Sequence, residues 1–224
     1  MSRLAGCNVI AKDLEVYAAE MPPSDYSIAR EVAGVERVAN DAGFERFHLY
    51  GHSGGGAVAL AYAAAHADRL LSLALDEPAY DFTDAIRADM EVVEPLKSLP
   101  APERIRAFMR LQVSPEVELS APTGPPPPWM ATRPAGIEAF LQALDQHERL
   151  TEKYRAVHAP VLYTWGSLTH ARWFAMAKRL AALFPDFTTA CFEGLHHLNA
   201  SQQAEPDRVA ELLAVLWARG ERSS

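Results

Sequence analysis

Residues 47–56 have the sequence FHLYGHSGGG, in which a short run of strand-forming residues leads into a glycine-rich turn. The turn contains the pattern Gly-x-Ser-x-Gly from Gly51 to Gly55, and residues 57–66 continue as an alanine-rich helix. A serine at this spacing sits on a strained turn that exposes its hydroxyl, and side chains two positions away would collide with the strand and the helix. We therefore predict that Ser53 is a nucleophile, with the N–H of Gly54 as oxyanion donor. A purely structural glycine-rich turn is the alternative.

Strands and helices alternate on both sides of this turn. Short apolar runs predict strands, and spacings of three and four between apolar residues predict helices. The predicted strands are residues 14–18, 47–50, 71–75, 161–165 and 188–192, and the predicted helices between and after them are 25–42, 57–66, 171–183 and 206–219. This alternation predicts a parallel sheet with right-handed crossovers.

The middle of the chain, residues 79–158, has no clear strand. Helices are predicted there around residues 84–96, 102–112 and 136–154, together with an extended proline-rich linker at 122–129. We therefore predict an α/β core formed by residues 1–78 and 159–224, with residues 79–158 inserted as a helical and proline-rich cap.

Composition narrows the classes of function. The chain has 224 residues, 49% hydrophobic, with a formal net charge of −8, which is typical of one soluble globular domain with no attraction to nucleic acid. The longest apolar run, at 57–65, is far shorter than the roughly 20 residues of a membrane span. Two distant cysteines are typical of a reducing cytoplasm. We expect a cytoplasmic protein acting on a small molecule, and leave open whether it forms a homodimer.

A serine nucleophile needs a base, and histidine is the usual one. Of the eight histidines, His196 and His197 follow the last predicted strand, where the order serine, acid, histidine along the chain places the base. The two are adjacent, so only one can face Ser53. A metal site is another use of such a pair, but no third ligand lies nearby in the sequence.

These segments resemble the α/β-hydrolase superfamily from about Leu14 to the C-terminus. The resemblance rests on the turn at 51–55, on the stretch APVLYTWG at 159–166, and on FEGLHHL at 192–198 with Glu205-Pro206 after it. It implies a mostly parallel sheet with flanking helices, a helical cap, a Ser–His–acid triad and no cofactor. Because the loop is similar to Gly-x-Gly-His-Phe, the resemblance favours His197 over His196 as the base.

The position of the triad acid in this sequence differs from the usual position in the superfamily. The superfamily usually has it in the turn that here is Gly166 to His170, and that turn contains no carboxylate. A known alternative lies just after the strand that follows the nucleophile helix, where this chain has Asp76 and Glu77. We select Glu77, one residue further out of the strand, with Asp76 as the alternative. A dyad without an acid is also open.

The start of the sequence also differs from the usual pattern of the superfamily. Members normally have two or three further strands before the one matching residues 14–18, and one of them ends in a His-Gly loop that supplies a second oxyanion donor. Only thirteen residues precede Leu14, so we expect an N-terminally reduced fold in which Gly54 is the one donor that remains. Either the true start lies upstream or the hydrolase is naturally short. We expect weak or no hydrolysis of small activated esters.

Three large apolar residues of the predicted cap are candidates for contact with the substrate. Trp129, Met130 and Phe140 either wall the substrate pocket or form the core of the cap itself. No arginine clamp is evident, which favours a small uncharged ester, lactone or amide.

Two other functions stay open. One is a non-catalytic, hydrolase-like binding protein or an inactive truncated form. The other is a Rossmann-like dinucleotide-binding protein, because Gly54 to Ala59 fits Gly-x-Gly-x-x-Ala and Asp76 lies twenty residues past Gly56.

Overall fold

The sheet has four parallel strands. The computed structural model describes residues 7–84, 94–119, 133–199 and 201–222. Within them the strands lie side by side in chain order. They are β1 (Phe47–His52), β2 (Leu70–Asp76), β3 (Val161–Gly166) and β4 (Phe187–Phe192).

Helices connect and flank these strands in the described part of the chain. The α-helices are α1 (Ile28–Asp41), α2 (Gly54–Ala65), α3 (Ala101–Arg110), α4 (Arg133–Gln146), α5 (Thr151–Tyr154), α6 (Arg172–Ala181), α7 (Ser201–Ala204) and α8 (Pro206–Arg222). The 3-10 helices are Glu15–Tyr17, Ala67–Arg69, Glu94–Ser98 and His197–Asn199. The predicted mostly parallel α/β sheet with flanking helices is confirmed, with small shifts at the ends of most elements. None of the described helices is long and apolar enough to cross a membrane.

The register of the strands brings their carboxyl ends to one edge of the sheet. His52 at the end of β1 pairs with Asp76 at the end of β2, and Asp76 pairs with Thr164 near the end of β3. Because the strands are parallel and in step, the residues that follow each strand meet at this edge. Open α/β sheets bind their ligands there.

Both faces of the sheet are covered by apolar side chains. Helix α2 is buried over most of its length and packs on the face that carries Leu73, Leu75 and Tyr163. Leu213 and Leu216 of α8 pack on the opposite face, against Ala74 and Leu162. The alternation of side chains along β2 and β3 therefore supplies both layers of the core.

The strand prediction for residues 14–18 is wrong. The segment forms the 3-10 helix Glu15–Tyr17 instead. The physical reason is the fully buried carboxylate of Glu31 in α1, which accepts hydrogen bonds from the backbone N–H groups of Glu15 at 2.9 Å and Val16 at 3.2 Å and from the Tyr26 hydroxyl at 2.8 Å. Backbone groups bound to a side chain cannot pair in a sheet, so within the described residues β1 is an edge strand.

The segment between β2 and β3 is mainly helical where it is described. The helix predicted over residues 102–112 forms as α3, and the helix predicted over 136–154 is divided into α4 and α5. The division occurs where the N–H of Leu150 bonds to the carbonyl of Phe82 and the Tyr154 hydroxyl bonds to the carbonyl of Asp81, which anchors α5 to the segment that follows β2. Of the helix predicted over 84–96, residues 85–93 lie outside the described residues, as does the linker at 122–129.

Candidate active site

Ser53 occupies the turn between β1 and α2 in a backbone conformation that is unusual for a residue with a side chain. Its φ is 52° and its ψ is −120°. Hydrogen bonds hold this turn from several sides: the Ser53 N–H donates to the carbonyl of Asp76 at 3.0 Å, and the Ser53 carbonyl accepts from Ala79 at 2.8 Å and Ala57 at 3.1 Å. Strain of this kind costs about 1–3 kcal/mol and persists only where the surroundings enforce it.

The glycines around Ser53 are needed at different positions from those expected. A Cβ on Gly51 would lie 2.4 Å from the carbonyl oxygen of Gly55, so Gly51 is required. A Cβ on Gly56 would lie 2.8 Å from the Cα of Pro78. A Cβ on Gly55, however, would meet no atom within 4 Å, so the expected collision at that position is wrong. The second close approach of the turn occurs one residue later, where α2 passes the chain that leaves β2.

This difference between the glycines predicts opposite effects on stability. Gly51→Ala should lower the free energy of unfolding by about 1–3 kcal/mol, because the backbone must move to admit the methyl group. Gly55→Ala should leave it unchanged or raise it by up to about 1 kcal/mol, because Ala favours a helix more than Gly does. Urea unfolding of the two variants measures both effects. Equal destabilisation of the two variants would contradict the prediction.

Ser53, His197 and Glu77 form a continuous chain of hydrogen bonds. Nε2 of His197 lies 2.9 Å from the Ser53 hydroxyl oxygen, and Nδ1 of His197 lies 2.6 Å from Oε2 of Glu77. His197 and Glu77 are both buried. This order lets Nδ1–H donate to the carboxylate while Nε2 accepts from the serine, which is the tautomer that a general base requires.

His196 faces a different environment. Its Nδ1 accepts a hydrogen bond from the N–H of Leu198 at 3.2 Å, and its own N–H donates to the side chain of Asn199 at 2.7 Å. The loop therefore directs one histidine of the pair to Ser53 and uses the other to shape its own backbone.

Glu77 is held at the end of β2 by the neighbouring strand. Its N–H donates to the carbonyl of Thr164 at 3.1 Å, and its Oε1 accepts the N–H of Gly166 at 2.8 Å. A Cβ on Gly166 would lie 2.2 Å from the carbonyl oxygen of Leu195, so a glycine at this position lets the histidine loop approach the end of β3. Both carboxylate oxygens of Glu77 are thus occupied, one by the sheet and one by His197.

Asp76, the alternative acid, makes no hydrogen bond to His197 among the described residues. Its Oδ1 accepts the Thr164 hydroxyl at 2.8 Å. Its Oδ2 accepts the hydroxyls of Ser201 at 2.8 Å and Tyr50 at 3.2 Å. Asp76 therefore ties the segment that follows the histidine loop to the sheet. Because it is buried in these bonds, it is not free to bind a ribose as a dinucleotide site would require.

Burial governs the ionisation of the pair. Desolvation raises the pKa of Glu77 to about 7, with the charge of Asp76 adding to the rise and the N–H of Gly166 opposing it. Desolvation lowers the pKa of His197 to about 3, and the charge of Arg172 contributes in the same direction. His197 is therefore neutral at neutral pH, as a base must be.

We predict that the rate of the reaction of Ser53 falls toward acid pH, and we call this falling part of the pH profile the acid limb. As the pH falls through about 7, the hydrogen-bonded pair of Glu77 and His197 gains a proton and loses the base at Nε2, so the rate should fall about tenfold per pH unit. The limb belongs to the coupled His197–Glu77 pair rather than to one residue. Rates measured between about pH 5 and 9 test this, and a limb near 4.5, the ordinary glutamate value, would contradict it.

Two side chains that the sequence analysis did not select also contact His197. Trp173 lies at the start of α6 and stacks on the imidazole ring, and His52 lies on the side toward β1. His52 adjoins Ser53 in the motif, which is a signal that could have indicated it. Nothing in the local sequence around Trp173 points to His197, because the contact arises only when α6 packs beside β3.

A metal ion has one potential set of ligands among the described residues. His52, Glu77 and His197 each offer one ligand atom, all within 4.8 Å of one another. However, Nδ1 of His197 and Oε2 of Glu77 are hydrogen-bonded to each other, and Nε2 of His197 lies 2.9 Å from the Ser53 hydroxyl oxygen. Both ring nitrogens of His197 and one oxygen of Glu77 are therefore already engaged. The geometry fits a proton relay better than a metal site.

Apolar side chains lie beside Gly54. A Cβ on Gly54 would lie 3.3 Å from the ring of Phe140 in α4 and 3.4 Å from the side chain of Leu14. Phe140 is buried and belongs to the main core, so it serves both the packing of α4 and the wall next to the serine. Trp129 and Met130 lie outside the described residues.

The helix start beside Ser53 leaves one backbone N–H without an acceptor. Gly54 is the first residue of α2, so its N–H has no acceptor within the helix and is free for a ligand. The 3-10 helix near Leu14 offers no substitute for a second donor. The N–H groups of Glu15 and Val16 bond to Glu31, and those of Tyr17 and Ala18 bond to carbonyls of the same turn.

The family model described as alpha/beta hydrolase fold matches residues 3–201. The chain belongs to this family. The resemblance seen in the sequence is thereby confirmed, and the four-stranded parallel sheet is the alpha/beta hydrolase sheet in a smaller form. No curated protein sequence matches the chain.

Solved structures agree on the fold of this alpha/beta hydrolase. A bacterial membrane phospholipase A is 20% identical with a TM-score of 0.59, and the match covers 91% of this chain and 66% of that one. The proline iminopeptidase of Mycobacterium smegmatis is 20% identical with a TM-score of 0.60, and the match covers 92% of this chain and 76% of the peptidase. A carboxylesterase of Bacillus subtilis is 15% identical with a TM-score of 0.57, and the match covers 88% of this chain and 68% of the esterase. At these identities the likeness concerns the fold alone.

Proposed function

We propose that this alpha/beta hydrolase is a serine hydrolase that cleaves a small uncharged ester, lactone or amide through Ser53, His197 and Glu77. The observation that carries the proposal is the chain of hydrogen bonds from the Ser53 hydroxyl through His197 to Glu77, at 2.9 Å and 2.6 Å. A cytoplasmic location and a small-molecule substrate are part of the proposal.

In the first half of the reaction, the Ser53 oxygen attacks the substrate carbonyl and its proton moves to Nε2 of His197. Glu77 keeps its hydrogen bond to Nδ1–H and stabilises the imidazolium that forms. The carbonyl oxygen becomes negative and accepts the N–H of Gly54, where the N-terminal end of α2 adds a favourable potential. Nε2 then gives its proton to the leaving alcohol or amine, and an acyl group stays on Ser53.

In the second half, a water molecule replaces the leaving group. His197 takes a proton from the water, the resulting hydroxide attacks the acyl carbonyl, and the same N–H of Gly54 again stabilises the negative oxygen. Nε2 returns its proton to the Ser53 oxygen, and the acid is released. With Gly54 as the one donor, the rate would be lower by about 10²–10³ than with a complete oxyanion hole.

Side chains beside the serine support an uncharged substrate. Phe140 and Leu14 have carbon atoms within 3.4 Å of the position that a Cβ on Gly54 would take, next to Ser53 in the chain. Apolar walls of this kind favour a small hydrocarbon acyl chain over a charged one. Lipase, esterase and peptidase chemistry all use such a triad, so the leaving group is left open between alcohol and amine.

A fluorophosphonate probe tests the proposal directly, because it reacts with serines that an adjacent base activates. Wild-type protein should be labelled at Ser53, as located by mass spectrometry of the peptide that contains it. Ser53→Ala should not be labelled, whereas Ser98→Ala, which removes an exposed serine, should behave as wild type. A folded wild-type protein that is never labelled would instead support the hydrolase-like binding protein.

A further inference from the structure

Two aromatic rings lie against the His197 ring. The Trp173 indole stacks on it, with ring centroids 4.9 Å apart and 5° between the planes. The His52 ring is tilted, with its centroid 4.9 Å away and 30° between the planes. Trp173 is fully buried in the first turn of α6, while His52 comes from the end of β1, so two separate elements supply the contacts.

We propose that Trp173 and His52 are positioning residues whose rings pack against His197 and hold it in the plane that directs Nε2 to Ser53 and Nδ1 to Glu77. The proposal rests on the proposed function, since it assigns these side chains a part in the same reaction. Neither residue touches the reacting atoms; both act through His197.

The hydrogen bonds at Nδ1 and Nε2 resist one motion of the ring only through their angles. They fix the two ends of the imidazole, but a small turn about the line through these nitrogens bends both bonds slightly and weakens them little. The stacked indole of Trp173 and the ring of His52 oppose this turn by direct contact.

Trp173 also has an electrostatic effect that grows during the reaction. The face of an indole is electronegative and attracts a cation more strongly than a neutral ring. His197 is neutral before the reaction and becomes an imidazolium when it accepts the serine proton. The contact is therefore stronger in the transition state than in the resting enzyme, which is the condition for raising the rate.

Burial keeps His52 uncharged. It lowers the pKa of His52, and the charge of His197 acts in the same direction. A neutral His52 does not repel the imidazolium. Four other charged or titratable side chains act on these rings: Glu77, Asp76, Arg172 and His196.

The test compares two replacements of Trp173. Leu keeps the site apolar but removes the aromatic face, whereas Phe keeps a face. Phe also removes no hydrogen bond, because the indole N–H has no partner among the described residues. The measurement is the labelling of Ser53 by a fluorophosphonate probe, separated into binding (KI) and chemical reaction (kinact), across pH.

Trp173→Leu should lower kinact about tenfold while KI changes less than about twofold, since the chemistry and not the binding is affected. Its acid limb should move down by about half a pH unit, because the imidazolium has lost the indole face. Trp173→Phe should stay within about threefold of wild type with an unshifted limb. Phe184→Leu is the matched control: Phe184 is equally part of the core and stacks on Tyr154, so its loss should leave kinact and the limb unchanged.

His52 provides a second pair of variants at a less buried position, in case Trp173→Leu does not fold. His52→Ala should lower kinact about fivefold, and His52→Phe, which restores a ring against His197, should recover most of that loss.

Suppose that Ser53 of the wild type is labelled. The proposal is then overturned if Trp173→Leu has the same kinact and the same acid limb as wild type. If Trp173→Leu does not fold, the same result for His52→Ala overturns it. Trp173→Phe as slow as Trp173→Leu would likewise overturn it, because lost volume and not the ring face would then be responsible. A wild-type protein that is not labelled would overturn the proposed function instead, and this assignment with it.

Discussion

Replacing His197 with Gln is expected to reduce the rate of Ser53 labelling, and of any ester hydrolysis, by about 10⁵- to 10⁶-fold. The buried Nε2 that lies 2.9 Å from the serine oxygen is the one base within hydrogen-bond reach of it among the described residues. Without it, the serine proton has no acceptor, and the hydroxyl is a weak nucleophile at neutral pH.

The adjacent histidine gives the matched control for this experiment. His196→Gln removes an imidazole from the same loop but leaves the contact between Ser53 and His197 in place, so its labelling rate should stay within about threefold of wild type. Circular dichroism and the melting temperature establish that both variants are folded. A His196→Gln variant as slow as His197→Gln would show that the loop turns over and presents the other ring.

Glu77→Gln is expected to lower the rate about 10⁴-fold. The Glu77 carboxylate accepts two hydrogen bonds, from the N–H of Gly166 and from Nδ1 of His197. An amide has only one acceptor oxygen. If that oxygen keeps the bond to Gly166, the NH2 group faces Nδ1 and makes it an acceptor, which puts the ring proton on Nε2. His197 then cannot take the proton of Ser53.

Asp76→Asn is the control for the acid. Asp76 accepts only hydroxyl groups, from Thr164, Ser201 and Tyr50, and hydroxyls can rotate to accept a hydrogen bond from the new amide. Its rate should therefore fall by less than about tenfold. The labelling rates and melting temperatures of the two variants are compared at a pH well above 7. If the two rates are reversed, Asp76 is the acid. If neither changes, another group orients His197.

Local sequence alone predicts the position of the proposed nucleophile. Ser53 could be predicted because its signal is contained in ten residues: a strand, a turn with Gly51 where a side chain cannot fit, and a helix. Helical periodicity and apolar runs likewise predicted α1, α2, α8 and the four strands of the sheet, since each depends on spacings within one element. The choices of Glu77 and His197 rested on the resemblance to a known superfamily rather than on periodicity.

The failed prediction for residues 14–18 has a nonlocal cause. Apolar residues around Val16 are compatible with a strand, and nothing nearby contradicts one. The carboxylate of Glu31, fifteen residues further along the chain, binds the N–H groups of Glu15 and Val16 and turns the segment into a 3-10 helix. A hydrogen bond between distant residues outweighed the local preference, which tertiary contacts commonly do for short strands.

By itself, the sequence determined most of the elements and the strained serine turn, because these follow from residues close together in the chain. Only the tertiary structure decided which oxygens of Glu77 meet Gly166 and His197, that Asp76 is bound by hydroxyls, and that Trp173 and His52 lie against the histidine. Those contacts join residues from β1, β2, β3, α6 and the last loop. They depend on the register of parallel strands and on how a helix packs beside them, and neither can be deduced from the spacing of residues along the chain.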